Sequence, residues 1–252
     1  MSKAMKSVLL SLALCLLFGL TGPLARAASQ QDIQQLRSLS DSVVENALIF
    51  HNPAGTPYDA NNSQAYQRDM QALMQQTQRL GLSNISEQAK QLSSAVADLQ
   101  HLPQTPAASR TNIPGFAQWF PQVLEAHEQL LALLNQHYQQ APAGNSKQQA
   151  YHQLSGDLQR LSLHYQLTAF PYLTLPRWML DDDELKALDA SVEQRLSQLP
   201  VGAEHLDKLA ARYNFVRRYL LNPGEGWAPN AVQRYLASTS LELDKAAARL
   251  TP

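Results

Sequence analysis

Along almost the whole of this chain the apolar residues recur in alternating steps of three and four, and that spacing constrains the fold more than any other feature. Ile33, Leu36, Ser40, Val43, Ala47 and Phe50 keep it, as do Tyr66, Met70, Leu73, Thr77 and Leu80. Ile85, Ala89, Leu92, Val96 and Leu99 repeat it, followed by Val123, His127, Leu130, Leu134 and His137. Tyr151, Leu154, Leu158, Leu161, Tyr165 and Thr168 continue it, then Leu185, Leu188, Val192, Leu196 and Leu199. Leu206, Leu209, Tyr213, Val216 and Leu220 make a further set, and Val232, Leu236, Leu243 and Leu250 the last. An α-helix turns once in 3.6 residues, so each set falls on one narrow stripe of a helix. Such stripes are buried by packing on one another, at crossing angles of ~20°. Alternation with period two, the mark of a half-buried strand, reaches no useful length. The expected fold is all-α: an antiparallel helical bundle of about eight helices with essentially no sheet.

The helix breakers fall between the stripes. Asn52-Pro53-Ala54-Gly55-Thr56-Pro57 cannot continue a helix, and 103–114 reads as a loop. Gly81 ends one helix, and Asn84 with Glu87 has the spacing of a capping box for the next. Asp181 to Glu184 place acids where a helix N-terminus attracts them. Ala141-Pro142-Ala143-Gly144-Asn145-Ser146 is the clearest linker, and it divides the chain into helical units over 28–140 and 147–252, or one continuous bundle. The units show traces of duplication. Leu36-Arg37-Ser38-Leu39-Ser40 resembles Leu158-Gln159-Arg160-Leu161-Ser162, and Trp119-Phe120-Pro121 resembles Trp227-Ala228-Pro229, each followed by a Val-containing helix with its proline at the first turn.

Residues 1–27 carry a different pattern. Lys3 and Lys6 precede an apolar run from Val8 to Leu20, then Gly22-Pro23, then Ala25-Arg26-Ala27. Charge, apolar core and a small-x-small site in that order are what the export machinery and signal peptidase read. The run is shorter than the ~20 residues that span a bilayer, which argues for cleavage rather than anchoring. Cys15 lies inside the apolar core and not at its end, so it does not read as a lipidation site. The expectation is a periplasmic or secreted protein beginning at Ala28.

Removal of that segment takes three basic residues and no acids from the 20 and 21 of the whole chain, leaving 17 against 21, a net charge of −4. A mildly acidic chain argues against nucleic acid and anionic membranes as partners. It also takes the one Cys, so an exported form has no disulfide and depends on packing alone. Gln replaces much of the usual charge on the polar faces, as in Gln75-Gln76, Gln139-Gln140 and Gln148-Gln149.

Motifs for catalysis, metals and cofactors are scarce. No Glu-x-x-His pair of the di-iron bundles occurs, no Cys-x-x-Cys-His and no His-Glu-x-x-His, so no metal or cofactor is expected. His127, His137 and His164 fall on or beside apolar stripes and read as partly buried, hydrogen-bonded residues. No Gly-x-Ser-x-Gly marks a nucleophile, and Gly224-Glu225-Gly226 lacks the lysine of a phosphate loop. The sequence therefore reads as non-enzymatic. Its densest patch is Arg212 to Tyr219. Arg212 and Tyr213, with Trp227 able to close over them, suit a small anion or carboxylate, because guanidinium binds such groups as a planar fork.

The second half also resembles a known family. Leu154-Ser155-Gly156-Asp157-Leu158-Gln159-Arg160-Leu161-Ser162 is similar to the first-helix signature of the PilJ-type N-terminal sensor domain, and Leu188-Asp189-Ala190-Ser191-Val192 with Leu196 and Leu199 to its next helix. That family comprises extracytoplasmic helical bundles of chemosensory and nitrate- or nitrite-responsive receptors. The resemblance implies Arg160 as an anion-binding residue, with Arg37 its counterpart in the duplicate. The expectation from the sequence is an exported binding or sensory bundle with Arg160, Arg212, Tyr213, Arg37 and Trp227 as candidate ligand contacts. Its partner would be a small anionic ligand, an envelope or membrane protein, or a second copy of the chain as a homodimer. The alternatives are an envelope-assembly scaffold and an enzyme with no recognisable motif.

Overall fold

A computed structural model describes residues 28–52, 58–102, 113–170, 173, 175–199, 203–222 and 226–250. The expected signal segment, with Cys15 and the cleavage site, lies outside them. Among the described residues the protein is all-helical, with eight α-helices, one 3-10 turn at Leu99–His101 and no strand. The helices are α1 (Gln30–Phe50), α2 (Ala60–Arg79), α3 (Ser83–Asp98), α4 (Ile113–Gln140), α5 (Ser146–Leu167), α6 (Asp182–Gln198), α7 (Ala203–Leu221) and α8 (Pro229–Ala248).

Local chemistry sets most of the boundaries. Ser29 and Asp32 form a reciprocal capping box that starts α1, and Asp181 with Glu184 does the same for α6. Asn145 accepts from the Gln148 amide at the start of α5, so the 141–146 segment is a true interruption. Gly81 takes φ +67° beyond α2, and the Leu82 amide reaches back to the Thr77 carbonyl, closing the helix as a left-handed glycine does.

Three expectations from the sequence need correction. α3 starts at Ser83, with Leu82 before it and no side-chain cap; Asn84 is already inside the first turn and accepts from the adjacent Ile85 amide instead. α4 starts at Ile113, so Pro121 sits within the helix and not at its first turn, unlike Pro229. The turns ahead of Pro121 are held by burial: Phe116 stacks on Phe120, and Phe170 meets both edge-on. The narrow stripe fails for α1, where every residue from Val43 to Phe50 is buried. Neighbours surround that end of the helix.

Hydrogen bonds give the helix directions. Gln76 bonds Gln35 and Ser42 bonds Asp69, so α2 runs antiparallel to α1. Gln30 with Tyr138 and Asp41 with His127 place α4 antiparallel to α1 as well. Gln148 with Ala247 and Gln166 with Pro229 pair α5 and α8 head to tail. α1 and α5, in contrast, run parallel: Gln149 meets Gln30 near their starts and Ser162 meets Glu45 two-thirds of the way along.

Two apolar cores result. One lies within α1–α4 and is closed by Leu167 at the end of α5 and by Ala169, Phe170, Leu173 and Leu175 from the segment after it. The other lies within α5–α8. The half-buried Trp227 packs against both and meets the Tyr165 ring edge-on at 4.9 Å. No described helix is long and apolar enough to cross a membrane.

Candidate functional site

Where the two cores meet, α1 and α5 form the floor of a cleft and α2 and α8 its walls. The cleft measures about 680 Å3. One end is drawn together by a hydrogen bond from Asn62 of α2 to Asn230 of α8. Its lining mixes polar and aliphatic groups, with no aromatic side chain among the described residues: Ser, Gln, Asn and three carboxylic acids surround Leu39, Leu236, Leu241 and several alanines.

The three acids come from three helices, and a serine hydroxyl donates to each. Ser38 donates to Asp244 Oδ2 at 2.7 Å, Ser42 to Asp69 Oδ2 at 2.6 Å and Ser162 to Glu45 Oε2 at 2.9 Å. Ser38, Ser42 and Glu45 follow the three-four spacing along α1, so Asp244, Asp69 and Glu45 meet one face of that helix in succession. Their environments differ. Asp69 also takes the guanidinium of Arg68, which extends into solvent. Glu45 is only 3% exposed, and burial, reinforced by the nearby Asp41, raises its pKa well above the ordinary carboxyl value. Burial raises Asp244 to about 6, against the opposing bonds from Ser38 and Gln34. Beneath Glu45, one turn back on α1, Asp41 accepts from His127 Nε2 at 2.9 Å. On the α5 floor Gln159 is 9% exposed, and its Oε1 finds no donor among the described residues.

This arrangement accepts hydrogen bonds and attracts positive charge. The cations that line it, Arg68 and Lys245, are both exposed at its edge, and Arg68 is already paired. Among the described residues no group of three or more His, Cys, Asp and Glu has the geometry to hold a metal ion.

The residues singled out from the sequence lie outside the lining of this cleft. Tyr213 is buried, donating its hydroxyl to Asp189 Oδ1 at 2.7 Å; burial first, then that bond, raises its pKa. Asp189 also receives Arg217 through two bonds of 2.7 and 2.6 Å. Arg212 pairs with Glu242 at 2.7 Å. The Arg-Tyr patch is therefore an internally neutralised contact of α7 with α6 and α8. Arg37 stacks over Tyr138 at 4.1 Å between α1 and α4. Arg160 is exposed on α5, next in sequence to Gln159 but outside the cleft lining. Trp227 packs on Tyr165 rather than over Tyr213. His127, His137 and His164 are hydrogen-bonded, to Asp41, Asn84 and the Leu180 amide.

The cleft residues escaped the sequence reading because none forms a motif. Serines and acids from α1, α2, α5 and α8 converge only after folding. The one signal in the chain is on α1, where Asp41 and Glu45 interrupt the apolar run of Val43, Val44, Ala47 and Leu48. Acids that share a face with core residues need partners. Comparison of the chain with protein-family models, curated proteins and solved structures finds no match.

Proposed function

We propose that this protein is an exported, non-enzymatic ligand-binding protein, and that its ligand occupies the cleft between α1, α2, α5 and α8. The cleft itself carries the reading: a concavity of about 680 Å3, within the range of small-molecule sites, with convergent polar groups over a few leucines. Its buried acids cost stability, which a bundle of packed leucines gains nothing from keeping. The order of features in 1–27 supports an extracytoplasmic address, and the capping box of α1 begins two residues past the expected cleavage site. The resemblance of 154–162 to PilJ-type sensor helices agrees with a binding or sensory role, in which occupancy of the cleft is passed on by contact to an envelope or membrane protein.

The Arg-Tyr patch supports an anion less well than the cleft supports a ligand that donates hydrogen bonds, because the guanidinium groups of Arg212 and Arg217 already face carboxylates. The test is a thermal-shift screen of small metabolites that covers anions, sugars, amino acids and amines. A ligand present at a hundred times its Kd stabilises by about 2.7 kcal/mol. For a chain of this length that raises Tm by roughly 5–10 °C. Ala237→Trp, which fills the cleft from the α8 wall, is expected to abolish the rise. A ligand whose stabilisation survives that substitution binds somewhere else and refutes the reading.

A further inference from the structure

The chemistry of the cleft walls narrows the ligand, given the reading that the cleft is a binding site. Glu45, Asp244 and Gln159 each bring hydrogen-bond acceptors to the lining of the cleft. Ser162 donates to one oxygen of Glu45, and Asp244 receives Ser38 on one oxygen and the neutral Gln34 amide on the other. Gln159 is about nine-tenths buried, lines the cleft and has an oxygen with no donor among the described residues. A buried acceptor left without a donor is costly, and a ligand N–H group would satisfy it. Aliphatic side chains, Leu39, Leu236 and Leu241, lie among these acceptors, and no aromatic ring offers the stacking face that a sugar or a nucleobase would use.

The acceptors are also spaced. The anchor of Asp244 is Ser38, and seven residues separate Ser38 from Glu45 on α1. At 1.5 Å per residue the two acids stand about 10 Å apart along the groove. Asp69, between them, is occupied by Arg68 and Ser42. We infer that the cleft binds a linear aliphatic polyamine, with a terminal ammonium on Glu45, another on Asp244, and its methylene chain along the leucines beside Gln159.

Proton traffic follows from the surroundings. The titratable and charged groups lining the groove are Glu45 of α1, Arg68 and Asp69 of α2, and Asp244 and Lys245 of α8, while Asp41 of α1, bonded to His127 of α4, lies outside the lining and acts on Glu45 and Asp244 through its charge. α5 contributes Gln159 and Ser162, which do not titrate. Glu45 and Asp244 both hold protons more tightly than ordinary carboxylic acids. An ammonium group favours their ionised form, so binding releases protons and tightens as pH rises through about 6.

Isothermal titration calorimetry of the full protein with spermidine tests this, run beside putrescine, sodium nitrate and glucose and in two buffers of different ionisation heat. The expected result is saturable one-to-one binding of spermidine with a buffer-dependent heat. Affinity should fall at least tenfold in each of Glu45→Gln and Asp244→Asn, near-isosteric changes that still accept from the serines. Far-UV circular dichroism confirms that each variant is folded, and an unfolded one is replaced by Gln159→Leu, with the same expected loss. Spermidine binding that both carboxamide variants keep within twofold overturns the proposal. Binding of nitrate or glucose, blocked by Ala237→Trp and without any spermidine binding, overturns the polyamine and leaves the cleft as a ligand site. No binding by any probe overturns the polyamine, and a metabolite screen that also finds none removes the cleft reading with it.

Discussion

Single residues in this protein show how burial, rather than position in a motif, sets chemical behaviour. His51 and His152 are both buried, and burial lowers each to about 4. His152 keeps a defined neutral tautomer: Gln31 Oε1 can only accept, so Nε2 carries the proton and Nδ1 accepts from Tyr138. His51 lies among Phe50, Tyr58, Phe116 and Phe120, and its Nδ1 has no hydrogen-bond partner among the described residues. Below about pH 6.5 the unfolded chain takes up protons that these folded histidines refuse, so stability is lost as pH falls from there towards 4. Asp244 works in the opposite sense: its raised value favours the folded state below about 4, and that contribution disappears as pH rises through about 6. Urea denaturation of His51→Leu against the wild type separates the two. The variant should gain about 2 kcal/mol relative to the wild type on going from about pH 7.5 to about pH 5. Packing changes cancel in that comparison, and an equal difference at both pH values would show that His51 is protonated while folded.

The helices illustrate where local rules hold and where packing overrides them. The acids of Asp181–Glu184 and the left-handed Gly81 lie where the sequence places them, since each depends on atoms within one turn, whereas the capping box expected at Asn84 and Glu87 does not form. Pro121 is where packing overrides the local rule. It breaks the hydrogen-bond ladder nine residues into α4, and the helix persists because Phe116 and Phe120 are anchored in the first core. A proline inside a helix costs about 3 kcal/mol relative to alanine, part of which it recovers by stiffening the unfolded chain. Pro121→Ala should therefore raise Tm by several degrees, measured by circular dichroism. A fall would show that the half-buried ring itself packs a gap that alanine leaves open.

Across the whole molecule, α1 joins the two cores. It runs antiparallel to α2 and α4 in the first and parallel to α5 of the second, and the groove opens along that seam. A parallel pair of helices, each the first of its half, is the arrangement two duplicated units would make when set side by side. Export is also a property of the whole chain, and its check is a mass. Protein recovered from the extracytoplasmic fraction should begin at Ala28, and an intact mass that retains the first 27 residues would refute the export reading.

The three-four spacing of apolar residues was enough for an all-α bundle of about eight helices, because a stripe of side chains on each helix is a local fact and burial is its only outlet. Most helix ends were equally readable. The acids and serines of the cleft were not. Ser38, Asp69, Ser162 and Asp244 are ordinary polar residues on four different helices, and each acquires a role only from the helix packed against it. The arginines of 212–218 attracted attention as a cluster, yet Asp189 and Glu242, from two other helices, neutralise much of it. Helix formation is decided within a turn or two of chain, whereas the charge a ligand would meet depends on which side chains distant segments bring together. That was settled only by the tertiary structure.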